Sequence, residues 1–446
     1  MQFKCLFFGS LFLTSSLSLG ATIGIIDSGV DIKHSMLEGK VWTNPLERKN
    51  RKDDDNNGYK DDINGWNFFG NNARVIDYKH GDLFTPEVEK FFSLQSKALG
   101  GTITEEELQW LREATQDIEF VGQLTKYGNY AHGTHVAGIA AKDNPGAKIL
   151  TARLIPVENP LEGLLRRVER AMDDGGDVNE IVKFIIKQGL GFIAQSQGDA
   201  FGPIGQYMAM QNVEVANASL GTSMVQAKLI ITPIVQLITQ GEPNEALIEE
   251  LAIFFIEETV KAQTQLVTVA PNTLFVFAAG NDGTNNDKFP VAPANIKADN
   301  AISVAATQER FALASFSNWG KKVEVAAPGV AILSSVPDQN MLELSGTSQA
   351  APFVANMAAQ ILDANPSLTP LAVKTIIMGT VDKKEFLADK VLTGGVVNME
   401  RALFAAESSL LLSLEEAIAG ALTMVDDVPS LEAPSVLRSW TPIELR

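Results

Sequence analysis

Ser345-Gly-Thr-Ser-Gln-Ala-Ala-Pro352 is the last of three short segments that lie far apart in this 446-residue chain and together predict its fold. The first is Ile25-Ile-Asp-Ser-Gly29, centred on Asp27, and the second is His132-Gly-Thr-His-Val-Ala-Gly138. An Asp, a His and a Ser in this chain order form one of the arrangements that assemble a nucleophilic triad. The three segments therefore predict a Ser nucleophile that is activated by an acid–base pair.

The chemistry of the three side chains depends on their cooperation. A Ser hydroxyl is a weak nucleophile near neutral pH, so Ser348 needs a neutral imidazole to take its proton, and His132 is the candidate. Asp27 would fix the tautomer of that imidazole and stabilise the imidazolium that forms during attack. This assignment gives each of the three residues a separate role.

Two donors for a tetrahedral oxyanion can also be named. Residues 273–283 have the pattern of a buried strand that runs into a turn, which puts the Asn281 amide at a strand end. Residues 349–364 are apolar, Ala-rich and helical in their spacing, so the Ser348 N–H lies at a predicted helix start. The first N–H groups of a helix lack partners within it and lie at the positive end of its dipole.

These segments resemble the subtilisin-like serine proteases, the subtilase or peptidase S8 family, from about residue 22 to residue 403 with long interruptions. The resemblance implies a serine-type endopeptidase, a hydrolase that cleaves protein or peptide substrates through an acyl-enzyme intermediate. It also implies that Asn281 is the oxyanion donor. Two alternatives stay open at this point: a processing protease of narrow specificity, and a binding module on the same fold whose cleft is occluded.

The other histidines need separate interpretations. His132 and His135 are three residues apart and could form a metal pair, but no third ligand is evident nearby. If a helix begins at His132, its apolar face holds Val136, Ile139 and Ala140, and in the family the position of His135 is structural. We therefore predict that His135 has a supporting role.

A substrate-binding segment follows from a weaker resemblance. Residues 213–219 have a strand pattern that leads into Asn217-Ala-Ser-Leu-Gly221, which is similar to the family segment that pairs with an extended peptide. Ser219, Leu220 and Gly221 would line the wall of the first pocket. Gly221 has no side chain, so we expect it to let the substrate approach closely.

A calcium site is predicted in Asp53-Asp-Asp-Asn-Asn-Gly-Tyr-Lys-Asp-Asp62, which fits the start of an EF-type loop. The Glu that should end such a loop is absent, since Asn64 stands there, so Asp61 or Asp62 would complete the coordination. Mutual repulsion of the acidic side chains would be relieved by a divalent cation. The predicted structural Ca²⁺ ligands are Asp53, Asp55, Asn57, Tyr59, Asp61 and Asp62; a solvated acidic turn is the alternative.

Residues 1–20 have the pattern of a signal peptide. Lys4 precedes an apolar stretch, and the small residues Ser18 and Gly20 would allow a signal peptidase to cut before Ala21. We therefore expect a secreted or periplasmic protein, with an uncleaved membrane anchor as the alternative. Cys5 is the single cysteine, so removal of the segment would leave no disulfide.

Charge excludes one class of partner. With 54 acidic and 36 basic residues, the formal net charge is −18. A nucleic-acid backbone requires a basic protein surface, so we expect no nucleic-acid partner.

The alternation of strand and helix patterns predicts an α/β fold, a three-layer structure with a mainly parallel sheet and helices on both faces. The carboxyl ends of such strands form binding sites, and Asp27 and Asn281 are both predicted there. The predicted strands are 22–26, 148–154, 213–218, 274–278, 301–305 and 323–326.

One peptidase domain is expected over residues 21–404, with helical insertions at about 82–126, 158–211 and 224–268, and residues 405–446 are expected to form a C-terminal tail. Only residues 21–26 separate the expected cleavage site from Asp27, so no N-terminal propeptide fits there. A separate inhibitor or chaperone chain could take its place. We expect the protein to be a monomer.

Overall fold

Short apolar strands form the centre of the protein. The computed structural model describes residues 20–157, 198–238 and 244–429. The strands within these ranges are β1 (Thr22–Asp27), β2 (Gly65–Asn67), β3 (Lys148–Arg153), β4 (Val215–Ala218), β5 (Leu274–Ala278), β6 (Ala301–Gln308), β7 (Ala312–Leu313), β8 (Val325–Pro328), β9 (Ile332–Val336), β10 (Asn340–Leu344), β11 (Asp382–Lys383) and β12 (Gly395–Val396).

Most of these strands belong to one mainly parallel sheet. Its order is β11-β12-β8-β6-β5-β4-β1-β3-β2; only β11 with β12, and the short β7 with β6, run antiparallel. All six predicted strands are present, as β1, β3, β4, β5, β6 and β8, with ends that differ by at most three residues. The antiparallel hairpin of β9 and β10 was not predicted.

Parallel neighbours require crossover connections, and helices supply them. The helices of the described ranges are α1 (Pro86–Gly100), α2 (Glu105–Ala114), α3 (Ile118–Ala141), α4 (Phe201–Met210), α5 (Met224–Ile238), α6 (Glu245–Gln263), α7 (Gln265–Val269), α8 (Thr347–Ala364), α9 (Pro370–Gly379), α10 (Met399–Ser408) and α11 (Leu414–Met424). None of them combines the length and the hydropathy needed to cross a membrane.

Alternating side chains of the central strands bury both faces of the sheet. In β5, Leu274 and Val276 pack with α3, α8 and α9 on one face, whereas Phe275 and Phe277 pack with α4 and α7 on the other. All four side chains are fully buried. This arrangement confirms the predicted three-layer α/β fold.

The first predicted insertion includes the beginning of the helix that carries His132. Helices α1 and α2 occupy most of 82–126, and the predicted capping box of Thr104 and Glu107 begins α2. The conditional expectation that a helix begins at His132 is wrong, because α3 begins fourteen residues earlier, at Ile118, where the Asp117 carboxylate caps it. Phe91, Leu124 and Tyr127 form a separate apolar cluster that stabilises this added half of α3.

The other insertions and the tail are described in part. Within 224–268, residues 224–238 and 244–268 form α5, α6 and the start of α7, in agreement with the predicted helices. Residues 158–197 and 239–243 lie outside the described residues, as does the expected signal segment up to residue 19. The expected boundary between residues 404 and 405 falls inside α10. Arg401 donates to Asp427 at 2.9 Å, so the chain packs on the domain well beyond that boundary.

Candidate active site

Asp27 lies at the carboxyl end of β1, fully buried, and His132 lies above it on α3. The imidazole Nδ1 is 2.8 Å from Asp27 Oδ1 and 3.0 Å from Oδ2. A Cβ atom at Gly133 would lie 2.2 Å from the Gly29 carbonyl O, so the helix can approach β1 this closely only with glycine at that position. Since Nδ1 donates to the carboxylate, Nε2 is left as the basic nitrogen of the neutral ring.

Two opposing effects set the pKa of His132. Burial lowers the pKa, but the negative charge of Asp27 and its hydrogen bond raise it by more, so the net shift is upward. The imidazole is 24% exposed, whereas the Asp27 side chain is 0% exposed. The pair therefore favours an imidazolium while the ring stays accessible from one side.

Ser348 is the second residue of α8, and it is partly buried. Its hydroxyl donates to the backbone carbonyl of Ser219 at a long distance of 3.4 Å. The structure thus joins Asp27 to His132 directly, whereas the Ser348 hydroxyl is hydrogen-bonded to a neighbouring loop. Loose hydrogen bonds at a nucleophile are common in proteins without bound substrate.

Asn281 is fixed by the residue before Ser348. Its Oδ1 accepts hydrogen bonds from Thr347 N and Thr347 Oγ1, both at 2.9 Å, which assigns Nδ2 as the outward donor. A Cβ atom placed on Gly346 would lie 3.5 Å from Asn281 Nδ2 and 3.6 Å from Ser348 N. Both predicted oxyanion donors therefore lie near one point beside Gly346, from which Gln349 Oε1 is 2.8 Å away.

The turn that carries Asn281 depends on residues that the sequence analysis did not identify. Asn318 Oδ1 accepts from Asp282 N at 2.9 Å and from Thr284 N at 3.1 Å, and its Nδ2 donates to Asn286 at 3.0 Å. Asn318 is fully buried. It lies 36 residues from Asp282 along the chain, so no local pattern indicated the contact.

The sequence comparisons agree with this geometry. A model of the subtilase family matches residues 18–396. The chain belongs to the subtilase family. Subtilisin-like protease 3 of Pseudogymnoascus destructans is 30% identical over 296 residues, which cover 62% of this chain and 56% of that protein. Subtilisin BL of Lederbergia lenta is 28% identical over 279 residues, which cover 62% of this chain and 79% of that protein.

The match to several relatives is partial. The chain spans about half the length of two curated relatives: 56% of the Pseudogymnoascus protein and 42% of alkaline elastase YaB of a Bacillus species. Its identity to alkaline elastase YaB is 30% over 198 residues, which cover 44% of this chain. A solved cold adapted subtilisin-like serine proteinase shares 19% identity with a TM-score of 0.44, covering 84% of this chain and 88% of that one. Family membership therefore rests on the sequence match.

In this subtilase, the predicted substrate segment follows β4 directly. Asn217 Nδ2 donates to Ser219 Oγ at 2.9 Å, and Ser219 Oγ donates to the Ser348 carbonyl at 3.0 Å. Within the described residues, the backbone groups of Leu220 and Gly221 make no hydrogen bond. They remain available to an extended peptide.

Glycine at position 221 has a structural reason besides the predicted approach of a substrate. A Cβ atom at Gly221 would lie 2.8 Å from the carbonyl O of Ala292. The protein's own backbone therefore already requires glycine there, before any substrate is considered.

The other two histidines near the site hold the β9–β10 hairpin. His135 is fully buried, and its Nε2 donates to Leu342 O at 2.9 Å, while burial lowers its pKa to about 3 and keeps it neutral. His34 Nδ1 accepts from Met36 N, and its Nε2 donates to Asn340 O at 3.0 Å. Both side chains therefore act in packing, and neither belongs to an acidic or metal-ligating cluster of the described residues.

The acidic loop of this subtilase gathers a ligand set that differs from the predicted one. Carboxylate oxygens of Glu47, Asp53 and Asp55 lie within 4.8 Å of one another. Glu47 was missed because it precedes the motif, yet it is 7% exposed and accepts from Asp54 N at 2.6 Å. Glu47 lies six residues before Asp53, outside the EF-type spacing, and the fold of the loop brings it into the cluster.

The other four predicted ligands make contacts of their own. The Tyr59 ring packs edge-on against Trp66 and Tyr207, with ring centroids 5.2 and 4.9 Å away. Asp61 Oδ1 accepts from Asn50 N at 2.7 Å. Asn57 adjoins the cluster, since its N donates to Asp53 Oδ1 and to Asp55 Oδ1, both at 3.1 Å, and its Oδ1 accepts from Tyr59 N at 2.7 Å. Asp62 is fully buried and accepts from Tyr207 Oη at 2.8 Å and from Asn57 Nδ2 at 3.0 Å.

Proposed function

We propose that this subtilase is a serine endopeptidase that hydrolyses peptide bonds of proteins or peptides through an acyl-enzyme intermediate. The observation that carries the proposal is the double contact of His132 Nδ1 with the Asp27 carboxylate. It is supported by Asn281 Nδ2 and Ser348 N, which lie 3.5 and 3.6 Å from one point beside Gly346. A base, a nucleophile and preorganised donors are the parts that acyl transfer requires.

Acylation begins when Ser348 Oγ leaves its long hydrogen bond to Ser219 and gives its proton to His132 Nε2. The oxygen attacks the scissile carbonyl carbon, and the carbonyl electron pair moves onto the oxygen, which becomes an oxyanion. Asn281 Nδ2 and Ser348 N donate to that oxyanion. His132 then protonates the leaving amine as the C–N bond breaks, which leaves an ester on Ser348.

Deacylation repeats these steps with water as the nucleophile. His132 takes a proton from water, the hydroxide attacks the ester carbon, and the same donors stabilise the second oxyanion. Return of the proton to Ser348 Oγ releases the acid product and regenerates the enzyme. In both halves the buried Asp27 carboxylate stabilises the imidazolium, which agrees with its upward effect on the pKa of His132.

Substrate recognition by strand addition is supported by residues 219–221. The backbone groups of Leu220 and Gly221 are unbonded within the described residues, and Ser219 is tied to α8 by its hydroxyl. An extended peptide paired with this segment would be held in one register beside Ser348, with alternate side chains directed to pockets. This geometry suits cleavage inside a chain.

A fluorophosphonate serine-hydrolase probe tests the proposal on the protein with Ser348→Ala and a matched Ser35→Ala control, since Ser35 is exposed. We expect labelling of the wild type and the control only. A folded wild type that is not labelled would contradict the peptidase and favour the alternative of an occluded binding module. Labelling without cleavage of casein would favour a processing protease of narrow specificity.

We also propose a structural Ca²⁺ at the cluster of Glu47, Asp53 and Asp55. The support is chemical: three carboxylates within 4.8 Å of one another are hard oxygen donors of the type that Ca²⁺ prefers. A cation there would relieve their mutual repulsion and join Glu47 to the loop that follows it. It would take no part in the bond-breaking steps.

Melting temperature measured with Ca²⁺ and with a chelator tests this site. We expect Ca²⁺ to raise the melting temperature of the wild type, and Asp55→Asn to abolish most of that rise. Asp54→Asn is the control, because Asp54 is exposed and bonds to Asn50. An equal rise in Asp55→Asn would count against calcium at this cluster.

Secretion through a cleavable leader is the third part of the proposal. The leader-like composition of residues 1–20 supports it. Fractionation of cells that express the full chain should recover the protein outside the cytoplasm, shortened by the mass of residues 1–20. Recovery of the full-length chain in the membrane fraction would favour an uncleaved anchor.

A further inference from the structure

Two carboxylates accept hydrogen bonds from backbone N–H groups at the start of β1. Ala21 N donates to Asp363 Oδ1 at 2.8 Å, and Thr22 N donates to Glu214 Oε2 at 2.9 Å. Ala21 is 5% exposed and belongs to the main apolar core, so its nitrogen lies in a sheltered position. Asp363 is the penultimate residue of α8, the helix that begins next to Ser348.

Neither carboxylate has a cationic partner among the described residues. The ammonium of Lys148 in β3 is engaged by the Gly39 carbonyl at 2.7 Å. Burial raises the pKa of both Asp363 and Glu214, and the charge of Asp363 raises that of Glu214 further. Asp363 also lies at the negative end of the α8 dipole, where a cation would be favoured.

The sequence independently points to the same nitrogen. Ser18 and Gly20 are the small residues that predict peptidase cleavage before Ala21. Hydrolysis of the Gly20–Ala21 bond consumes one water, leaves a carboxylate on Gly20, and creates an α-ammonium group on Ala21. The nitrogen that already contacts Asp363 would then carry the missing positive charge.

We propose that leader removal creates a half-buried ion pair between the Ala21 α-ammonium and Asp363, with Glu214 as a second carboxylate beside it. The pair joins the start of β1, which ends at Asp27, to the end of α8, whose second residue is Ser348. It stabilises the mature protein and not the precursor, because an amide N–H carries no net charge. The inference rests on the cleavage included in the proposed function.

The test uses the secreted, mature protein. Its N-terminal residue is determined first, and the Ala21 amine is then acylated with a dilute amine-reactive ester while mass spectrometry follows the rate. We expect acylation of the wild type to be at least about tenfold slower than that of Asp363→Asn, since a paired ammonium is protonated and shielded. Asp363→Asn keeps the Oδ1 acceptor, and Asp143→Asn is an exposed control that should match the wild type.

The outcomes are decisive in either direction. A mature protein that begins elsewhere, or equal acylation rates in wild type and Asp363→Asn, would overturn the ion pair. If Asp363→Asn does not fold, the pH dependence of wild-type acylation gives the pKa of the Ala21 amine. The ionisable groups beside that amine are Asp363 and Glu214, and the nearby Lys148 ammonium donates to the Gly39 carbonyl instead. A value above the ordinary range of about 7.7–8.0 supports the pair, and a value within or below it refutes it. Fluorophosphonate labelling of the same sample reports separately on the peptidase proposal.

Discussion

The two helices that carry His132 and Ser348 pack on the same face of the sheet, yet they present these residues differently. His132 lies inside α3, fourteen residues after Ile118, whereas Ser348 is the second residue of α8. Interior N–H groups of a helix bond to carbonyls four residues earlier, and those of the first turn do not. Ser348 can therefore offer its backbone N–H as well as its hydroxyl, whereas His132 offers only its ring.

Because of this difference, additional residues at the N-terminal end have different consequences in α3 and in α8. Helix α3 can be lengthened at its start because the partner of His132 comes from β1, through contacts of 2.8 and 3.0 Å. Under the proposed function, helix α8 must begin beside Ser348, since an added turn would occupy the Ser348 N–H that is proposed to donate to the oxyanion. The proposed mechanism therefore restricts the start of α8 and leaves the start of α3 unrestricted.

The largest expected effect on turnover comes from the partner of His132. Asp27→Asn keeps the size of the side chain but removes the charge and replaces one carboxylate oxygen with an NH₂ donor, which no longer fixes the tautomer of His132, so we expect kcat to fall about 10⁴-fold. Asp143→Asn, at an exposed position after α3, should leave kcat unchanged. Peptide hydrolysis of the two purified variants measures the difference. A loss below about tenfold in Asp27→Asn would show that the side-chain contact is dispensable.

The donor beside the start of α8 should have the next largest effect. Asn281→Asp retains an oxygen that can accept from Thr347 but replaces the Nδ2 donor, and we expect kcat to fall about 100- to 1000-fold with little change in KM. Steady-state kinetics separate the two constants. An equal change in KM would instead indicate lost substrate binding, and unaltered kcat would remove Asn281 from the oxyanion site.

Acid pH should reduce activity through His132. Asp27 raises the pKa of the imidazole, so kcat/KM should fall as pH drops through a value above the ordinary 6.5. The same pair contributes stability that is fully present below the unfolded pKa and is lost as pH rises through the folded pKa. Activity and this part of the stability therefore change in opposite directions. In Asp27→Asn the acid limb should move to lower pH, and an unmoved limb would assign it to another group.

A core mutation in the first half of α3 should lower the stability of the protein and have the smallest effect on turnover. Leu124 is 7% exposed in the aromatic cluster, so Leu124→Ala should lower the free energy of unfolding by about 2–5 kcal/mol. Denaturant unfolding and kcat below the transition measure the two quantities. Thr125→Ala, at the exposed neighbouring position, is the control. A parallel loss of kcat in folded Leu124→Ala would mean that the insertion positions His132.

The success of the sequence predictions followed the strength of local patterns. The central strand β5 has five fully apolar residues, and its prediction over 274–278 is confirmed. The hairpin of β9 and β10 was missed because its segments mix exposed apolar residues, such as Leu333 and Met341, with buried Ser334 and Ser335. The burial of the two serines is explained by the tertiary structure, in which the Ser334 and Ser335 hydroxyls donate to α3 carbonyls at 2.8 and 3.0 Å.

The sequence by itself determined the family, the order of the reacting groups and the central strands, because each depends on residues that are neighbours along the chain. Tertiary structure alone decided the contact of Asp27 with His132, which are 105 residues apart, and the hydrogen bonds from Thr347 to Asn281, which are 66 residues apart. The physical reason is that such distances depend on how strands and helices pack, and no local spacing carries that information.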